Sequence, residues 1–332
     1  MDSTGTFTDL FANVNAALQA TFTSASTGMS NYVIPLGWAM FGVSILVWSF
    51  MVMTGRVASP ANEWMMKGAA ILLILSAAGA NYSTWVSGPL FQLPNDLANA
   101  IGSSGTPAQV LDMLETQLNQ MLDGIASAVV SSFSNLNFGG GIILFAALVI
   151  VSIACALLLI GAAFNVLYAQ IGLSLVLSVG PFFIIWMIWK QTQHWAWSWL
   201  NTALYYVFLT VLSAMFILLF IQICTHYMSS LESAVTALGP TVPSDSSFAS
   251  KLASLLEKQV NPQAQIAVAT SYLNIFSISL QLAFICLPMF FIEIQLPTIA
   301  ASMTGGQGGS VGSGFYMVMQ AARTAAAFKG GK

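Results

Sequence analysis

Residues 180–200 read GPFFIIWMIWKQTQHWAWSWL, and how this stretch sits decides the fold. It opens with Gly180-Pro181 inside a long apolar run. That pair is hostile to a continuous helix, because proline lacks an N–H and its ring crowds the preceding turn. It closes with five of the chain's nine tryptophans: Trp186, Trp189, Trp195, Trp197 and Trp199. Lys190 and His194 are the only basic-type side chains between Lys67 and His226. Tryptophan favours the membrane–water boundary, and lysine favours its cytoplasmic side. The expectation is a chain that enters a bilayer before Gly180, breaks at Pro181 and surfaces at an aromatic and basic collar.

Composition supports a membrane setting. The chain has 332 residues, of which 57% are hydrophobic and only 6% charged, against about 25% charged in soluble domains. Even alternation of apolar and polar residues, the mark of a membrane barrel, is absent, so backbone groups must be satisfied within helices. The expected fold is all-α and polytopic. It has five spans plus a re-entrant or broken segment at residues 171–189, with six full spans as the alternative. A crossing at 171–189 would put Lys190, His194 and the tail with Arg323, Lys329 and Lys332 outside, against the positive-inside rule; a broken segment puts them all inside. The N-terminus is then periplasmic and the C-terminus cytoplasmic.

Phe7, Leu10, Phe11, Val14, Leu18 and Phe22 recur at helical spacing, which predicts an amphipathic helix in residues 1–32. No Lys or Arg precedes Arg56, so this segment is not read as a signal peptide. Spans 1 and 2 are expected at 33–54 and 65–87, within the unit 33–87. Residues 88–139 carry Asp96, Asp112, Glu115 and Asp123 and no Lys or Arg, fitting a periplasmic loop. Thr106-Pro107-Ala108-Gln109 predicts a helix start, with proline in the first helical position. In the helix 107–133 that follows, Leu111, Leu114, Leu118, Met121 and Ile125 alternate by three and four, a seam of about two heptads. Either this seam packs on the chain's own helices or it joins copies into a ring; the ring is the expectation taken forward. Gly139-Gly140-Gly141 reads as a hinge.

In 140–224 the expectation is span 3 from Gly141, the broken segment 171–189, the collar 186–199 and span 4 over 197–224. Trp195 and Trp199 share a face of span 4, either as a membrane anchor or as a contact surface. A second periplasmic loop, 225–266, is expected to hold a short helix with Phe248, Leu252, Leu255 and Leu256. Span 5 falls within 267–303, and a glycine-rich cytoplasmic tail occupies 304–332. Glu293 is the only acidic residue deep in a span. It can snorkel to the boundary, face a protein interior or belong to an ion pathway.

No catalytic residues, metal ligands or cofactors are expected. Cys155, Cys224 and Cys286 fall in apolar runs without metal or disulfide spacing. With two histidines, no HExxH and no glycine-rich phosphate loop ending in Lys, zinc-hydrolase and nucleotide-binding motifs are missing. Eight scattered Lys and Arg make no basic face for nucleic acid.

The pattern Gly180, Pro181, Phe182, Phe183, then Thr192 and the pair Trp199-Leu200 leading into another span, resembles the TrbL-type family. These are polytopic inner-membrane subunits of type IV secretion and conjugation systems. The plan of external N-terminus, large external loop and glycine-rich tail is similar over nearly the whole chain; the motif covers some 20 residues. Basic residues often follow the threonine in that family, whereas Gln193 and His194 do here. The resemblance implies a non-enzymatic channel or platform component of the bacterial inner membrane that supports conjugative pilus biogenesis and translocation of DNA or protein. Implied partners are copies of itself, the pilin and minor pilin, bitopic scaffold subunits, the secretion ATPases, membrane lipid and substrate in transit. The alternative is a secondary transporter with a broken-helix site, using Asn165, Gln170, Asn201, Asn274, Gln281 and Glu293.

Overall fold

The computed structural model describes residues 5–55, 61–100, 105–134, 138–236 and 262–305. All regular structure among them is helical. The main helices are α1 (Thr6–Met53), α2 (Ala61–Ala78), α3 (Gly88–Ala100), α4 (Pro107–Ser134), α5 (Phe138–Ser178), α6 (Gly180–Ile185), α7 (Gln193–Thr236) and α8 (Pro262–Thr304). Of these α1, α5, α7 and α8 are long and apolar enough to cross a membrane. A fifth crossing is available if Met65–Ala78 and Ser83–Ala100, bent by 82° against each other, count as one broken span. The chain is thus a polytopic helical membrane protein.

Several expected boundaries move. The predicted N-terminal helix and span 1 are one helix, α1, of 48 residues. Phe11 is buried and Phe7, Val14, Leu18 and Phe22 are half-buried, while Leu10 is exposed. The buried face continues through Ser26, Ser30, Val33 and Gly37, so nothing forces a break at residue 32. Span 2 does not run to residue 87. α2 stops at Ala78, and a π-helical turn at Ser83–Ser87 leads into α3.

α5 runs unbroken from Phe138 to Ser178, through Gly161 and Gly172, so the interruption expected from residue 171 begins only at Val179. At 41 residues α5 is about 60 Å long, twice the ~30 Å hydrocarbon core. After it come only the six-residue α6 and a 3₁₀ turn at Trp186–Ile188. These are too short to cross, which removes the straight sixth span. The glycines 139–141 lie in the first turn of α5 rather than in a hinge. They permit close approach: a Cβ on Gly140 would stand 2.7 Å from the Tyr272 ring, and one on Gly141 3.0 Å from Phe133. α7 continues to Thr236, so residues 225–236 are helix and not loop. Pro262 opens α8. The helix expected around Leu252 and the 304–332 tail beyond Gly305 lie outside the described residues.

The chain divides into two compact units. Unit 1 is Met1–Ala108, Asn165–Ala214 and Gln295–Lys332; unit 2 is Gln109–Phe164 and Met215–Ile294. Unit 1 has a core of Val33, Leu75, Tyr82, Leu177, Ile185, Trp199 and their neighbours. In it, Ser30 of α1 donates its hydroxyl to the Ala78 carbonyl at the end of α2, and Phe22 stacks on Phe91 at 6.5 Å.

In unit 2 the α4 seam is already covered. Leu111, Leu114 and Ile125 are 0% exposed, Met121 2% and Leu118 4%. Leu231 of α7 lies 3.9 Å from where a Cβ on Gly124 would stand, and the Ser132 hydroxyl meets the Tyr272 hydroxyl of α8 at 3.1 Å. The ring expectation for this seam is therefore corrected. An apolar stripe is satisfied by whichever apolar surface reaches it first, and here the chain's own long helices do. Leu118→Ala is expected to cost about 2–5 kcal/mol in detergent unfolding while leaving the mass of the solubilised particle unchanged. A drop in particle mass without loss of stability would restore the seam to an intermolecular role.

Candidate functional site at the Gly180 joint

The site is built where α5 ends. The last carbonyls of a helix lack partners of their own, and Pro181 makes this end worse. It has no N–H to return to Leu177, four residues back. Two aromatic donors from elsewhere in unit 1 fill the gap. The Tyr82 hydroxyl, from the turn after α2, donates to the Leu177 carbonyl at 2.5 Å. The Trp199 indole Nε1–H, from α7, donates to the Val176 carbonyl at 2.8 Å. A buried carbonyl left unmade costs about 1–3 kcal/mol, so these bonds are what allow α5 to stop inside the core.

Gly180 is the point they close on. A Cβ there would overlap the Tyr82 hydroxyl and stand 2.7 Å from Trp199 Cζ2. Gly180 and Pro181 are both buried, with proline early in α6 where its missing N–H is least costly. Trp199 is 7% exposed and belongs to the core. Its side chain is turned into the core and not onto an open surface. Leu200 packs partly buried against the same core.

Thr192 does a different job. Its hydroxyl donates to the Trp186 carbonyl at 2.9 Å, and its backbone N–H to the Trp189 carbonyl at 3.1 Å. It thereby ties the 3₁₀ turn to the start of α7. Along the collar, ring contacts run from Phe182 to Trp186 at 5.9 Å, Trp186 to Trp195 at 5.3 Å and Trp195 to His194 at 5.6 Å. Trp189, Trp195 and Trp197 are exposed. Beside the joint is a cavity of about 250 Å³ between α5, α6 and α7, lined by Val176, Val179, Phe183, Trp195, Ser198, Trp199 and Thr202.

The other predicted positions lie elsewhere. Glu293 is fully buried in unit 2, its Cγ 3.9 Å from where a Cβ on Gly161 of α5 would stand. It does not snorkel. Asn274 and Gln281 are exposed and do not converge on it, which weakens the transporter reading. Cys155, Cys224 and Cys286 are buried free thiols, the first and last 4.0 Å apart at sulfur. No group of three or more His, Cys, Asp or Glu able to hold a metal ion occurs among the described residues. Sequence reasoning missed Tyr82, which sits 95 residues before Leu177; only a fold-level contact reveals it.

A helical membrane protein with two long helices joined through a buried Gly-Pro break, pinned by aromatic donors, is the class these observations define. The chain belongs to the TrbL/VirB6 plasmid conjugal transfer protein family, whose match covers residues 41–256. It is similar to the type IV secretion system protein VirB6 of Bartonella henselae, 24% identical over 234 residues and 69% of each chain. It is equally similar to the protein of that name from Bartonella quintana, 24% identical over 232 residues and 68% of each chain. The joint lies inside the matched region.

Proposed function

We propose that the chain is an inner-membrane channel or assembly-platform component of a bacterial type IV secretion system, acting in pilus biogenesis and in translocation of DNA or protein. The observation that carries this reading is the family match over residues 41–256, which includes the Gly180 joint and the two long apolar helices it joins, α5 and α7. The role is structural and non-enzymatic, with energy supplied by the system's ATPases. Its partners are the pilin, the minor pilin, the bitopic scaffold subunits and further copies of the chain, met through surfaces other than the α4 seam. A strain lacking the gene should lose substrate transfer to the level of a strain lacking a secretion ATPase and regain it on complementation. Transfer at wild-type frequency without the gene would overturn the assignment.

In the proposed topology the collar and the C-terminal tail face the cytoplasm, while the N-terminus and the α4 region face the periplasm. The charge distribution supports it, since Lys190 sits in the collar and no Lys or Arg occurs in 88–139. Gln191 and Ser127 are both exposed, and the three native thiols are buried. In intact spheroplasts, Ser127→Cys should react readily with a membrane-impermeant thiol reagent and Gln191→Cys should not. Ready labelling of Gln191→Cys would invert the collar.

A further inference from the structure

We infer that the cavity beside the joint holds one acyl chain of a membrane phospholipid, whose anionic headgroup lies on the Lys190–His194 collar. The walls are mostly apolar, and apart from the exposed Ser198 hydroxyl the polar groups among them are occupied. The Trp199 indole N–H is turned to Val176, and the Thr202 hydroxyl donates to the Ser198 carbonyl of its own helix at 2.9 Å. A polar guest would find little to bond; a hydrocarbon loses nothing by entering.

The approach to the cavity points to the membrane. Ile171, Leu175 and Val179 are exposed at successive turns of α5 and its end, followed by Phe182. Val179 is also a cavity wall. An apolar stripe that faces lipid therefore runs straight into the opening. At the other end Trp195 is shared. It lines the cavity and also stacks edge-on with His194. Lys190 stands exposed in the turn closed by Thr192 on Trp189.

Charge complementarity favours an anionic head over a zwitterionic one. No Asp or Glu occurs between Asp123 and Glu232, so α5, α6 and the start of α7 bring no carboxylate to neutralise Lys190. A boundary lysine flanked by tryptophans is suited to hold a lipid phosphate.

The test uses the full-length protein, stripped of lipid in detergent and reloaded from nanodiscs of phosphatidylglycerol or phosphatidylethanolamine. Lipid kept by the extracted protein is then counted by native mass spectrometry. Phosphatidylglycerol should be retained about fivefold over phosphatidylethanolamine. That preference should vanish in the double variant Lys190→Gln/His194→Gln. Ser198→Trp, a change at an exposed position that fills the cavity, should abolish retention of both lipids while leaving the unfolding midpoint of the lipid-free protein unchanged. Equal retention of the two lipids by wild type would overturn the headgroup assignment. Undiminished retention by Ser198→Trp would overturn the cavity as the site. Retention of neither lipid by wild type would give the groove to a protein segment instead.

Discussion

Gly180→Val should destabilise the protein by about 3 kcal/mol or more and strip most of it from the membrane fraction. Overpacking a filled core costs about 1–3 kcal/mol, and this site compounds the cost. A branched side chain at Gly180 must displace Tyr82 and Trp199, the two groups that complete the carbonyls of Leu177 and Val176. Each carbonyl left bare in the core adds about 1–3 kcal/mol. The comparison is Gly42→Val in α1, where nothing lies within 4 Å of an added Cβ; it should be neutral or slightly stabilising, since valine suits a helix better than glycine. Unfolding of the detergent-solubilised variants and immunoblots of membranes measure both. Equal behaviour of the two variants would mean that the joint has room to spare.

Trp199→Ala should reduce substrate transfer far more than Trp48→Ala at matched protein level. Trp199 is buried in the core of unit 1, and truncating such a side chain costs about 3–5 kcal/mol. Trp48 is only partly buried, in the half of α1 where Leu46, Val47 and Phe50 are exposed. Trp199→Phe is the intermediate change, since it keeps a six-membered ring in the core but loses the indole's second ring and the donor to Val176. It should lie between wild type and Trp199→Ala, losing about 1–3 kcal/mol in the unfolding assay. If Trp199→Ala and Trp48→Ala reduce transfer equally and mildly, the joint is not what secretion depends on.

The class of fold and the joint's motif positions Gly180, Pro181, Thr192, Trp199 and Leu200 are legible in residues 180–200. A Gly-Pro pair in an apolar run announces a break by local sterics alone, and a run of tryptophans announces a boundary. Thr192 and Leu200 were picked out as positions, but only the structure assigns them work, one tying a turn and the other filling a core edge. What local pattern could not supply was the partner of each apolar stripe. The α4 seam has the spacing of a coiled coil, and spacing is indifferent to whether a second copy or the chain's own α7 and α8 covers it. Glu293 shows the same limit, because its burial depends on a glycine 132 positions earlier in another helix. The break in span 2 has no such local sign. Gly79 lies in an apolar run with no proline beside it, and a lone glycine lowers helix stability without ending a helix. Its effect is decided by Ile34, whose Cδ1 would stand 3.0 Å from an added Cβ, and by Ser30 capping Ala78.

The most direct test of the convergence at Gly180 is a double-mutant cycle between Gly180 and Tyr82, read by unfolding in detergent. Gly180→Ala brings a methyl onto the Tyr82 hydroxyl, and Tyr82→Phe removes that hydroxyl together with its bond to Leu177. Each single change should destabilise by about 1–3 kcal/mol. Together they should cost less than their sum by about 1 kcal/mol or more, because loss of the hydroxyl removes the atom that the methyl overlaps most. Strict additivity would contradict the account, since it would mean that Tyr82 does not reach the break at Gly180.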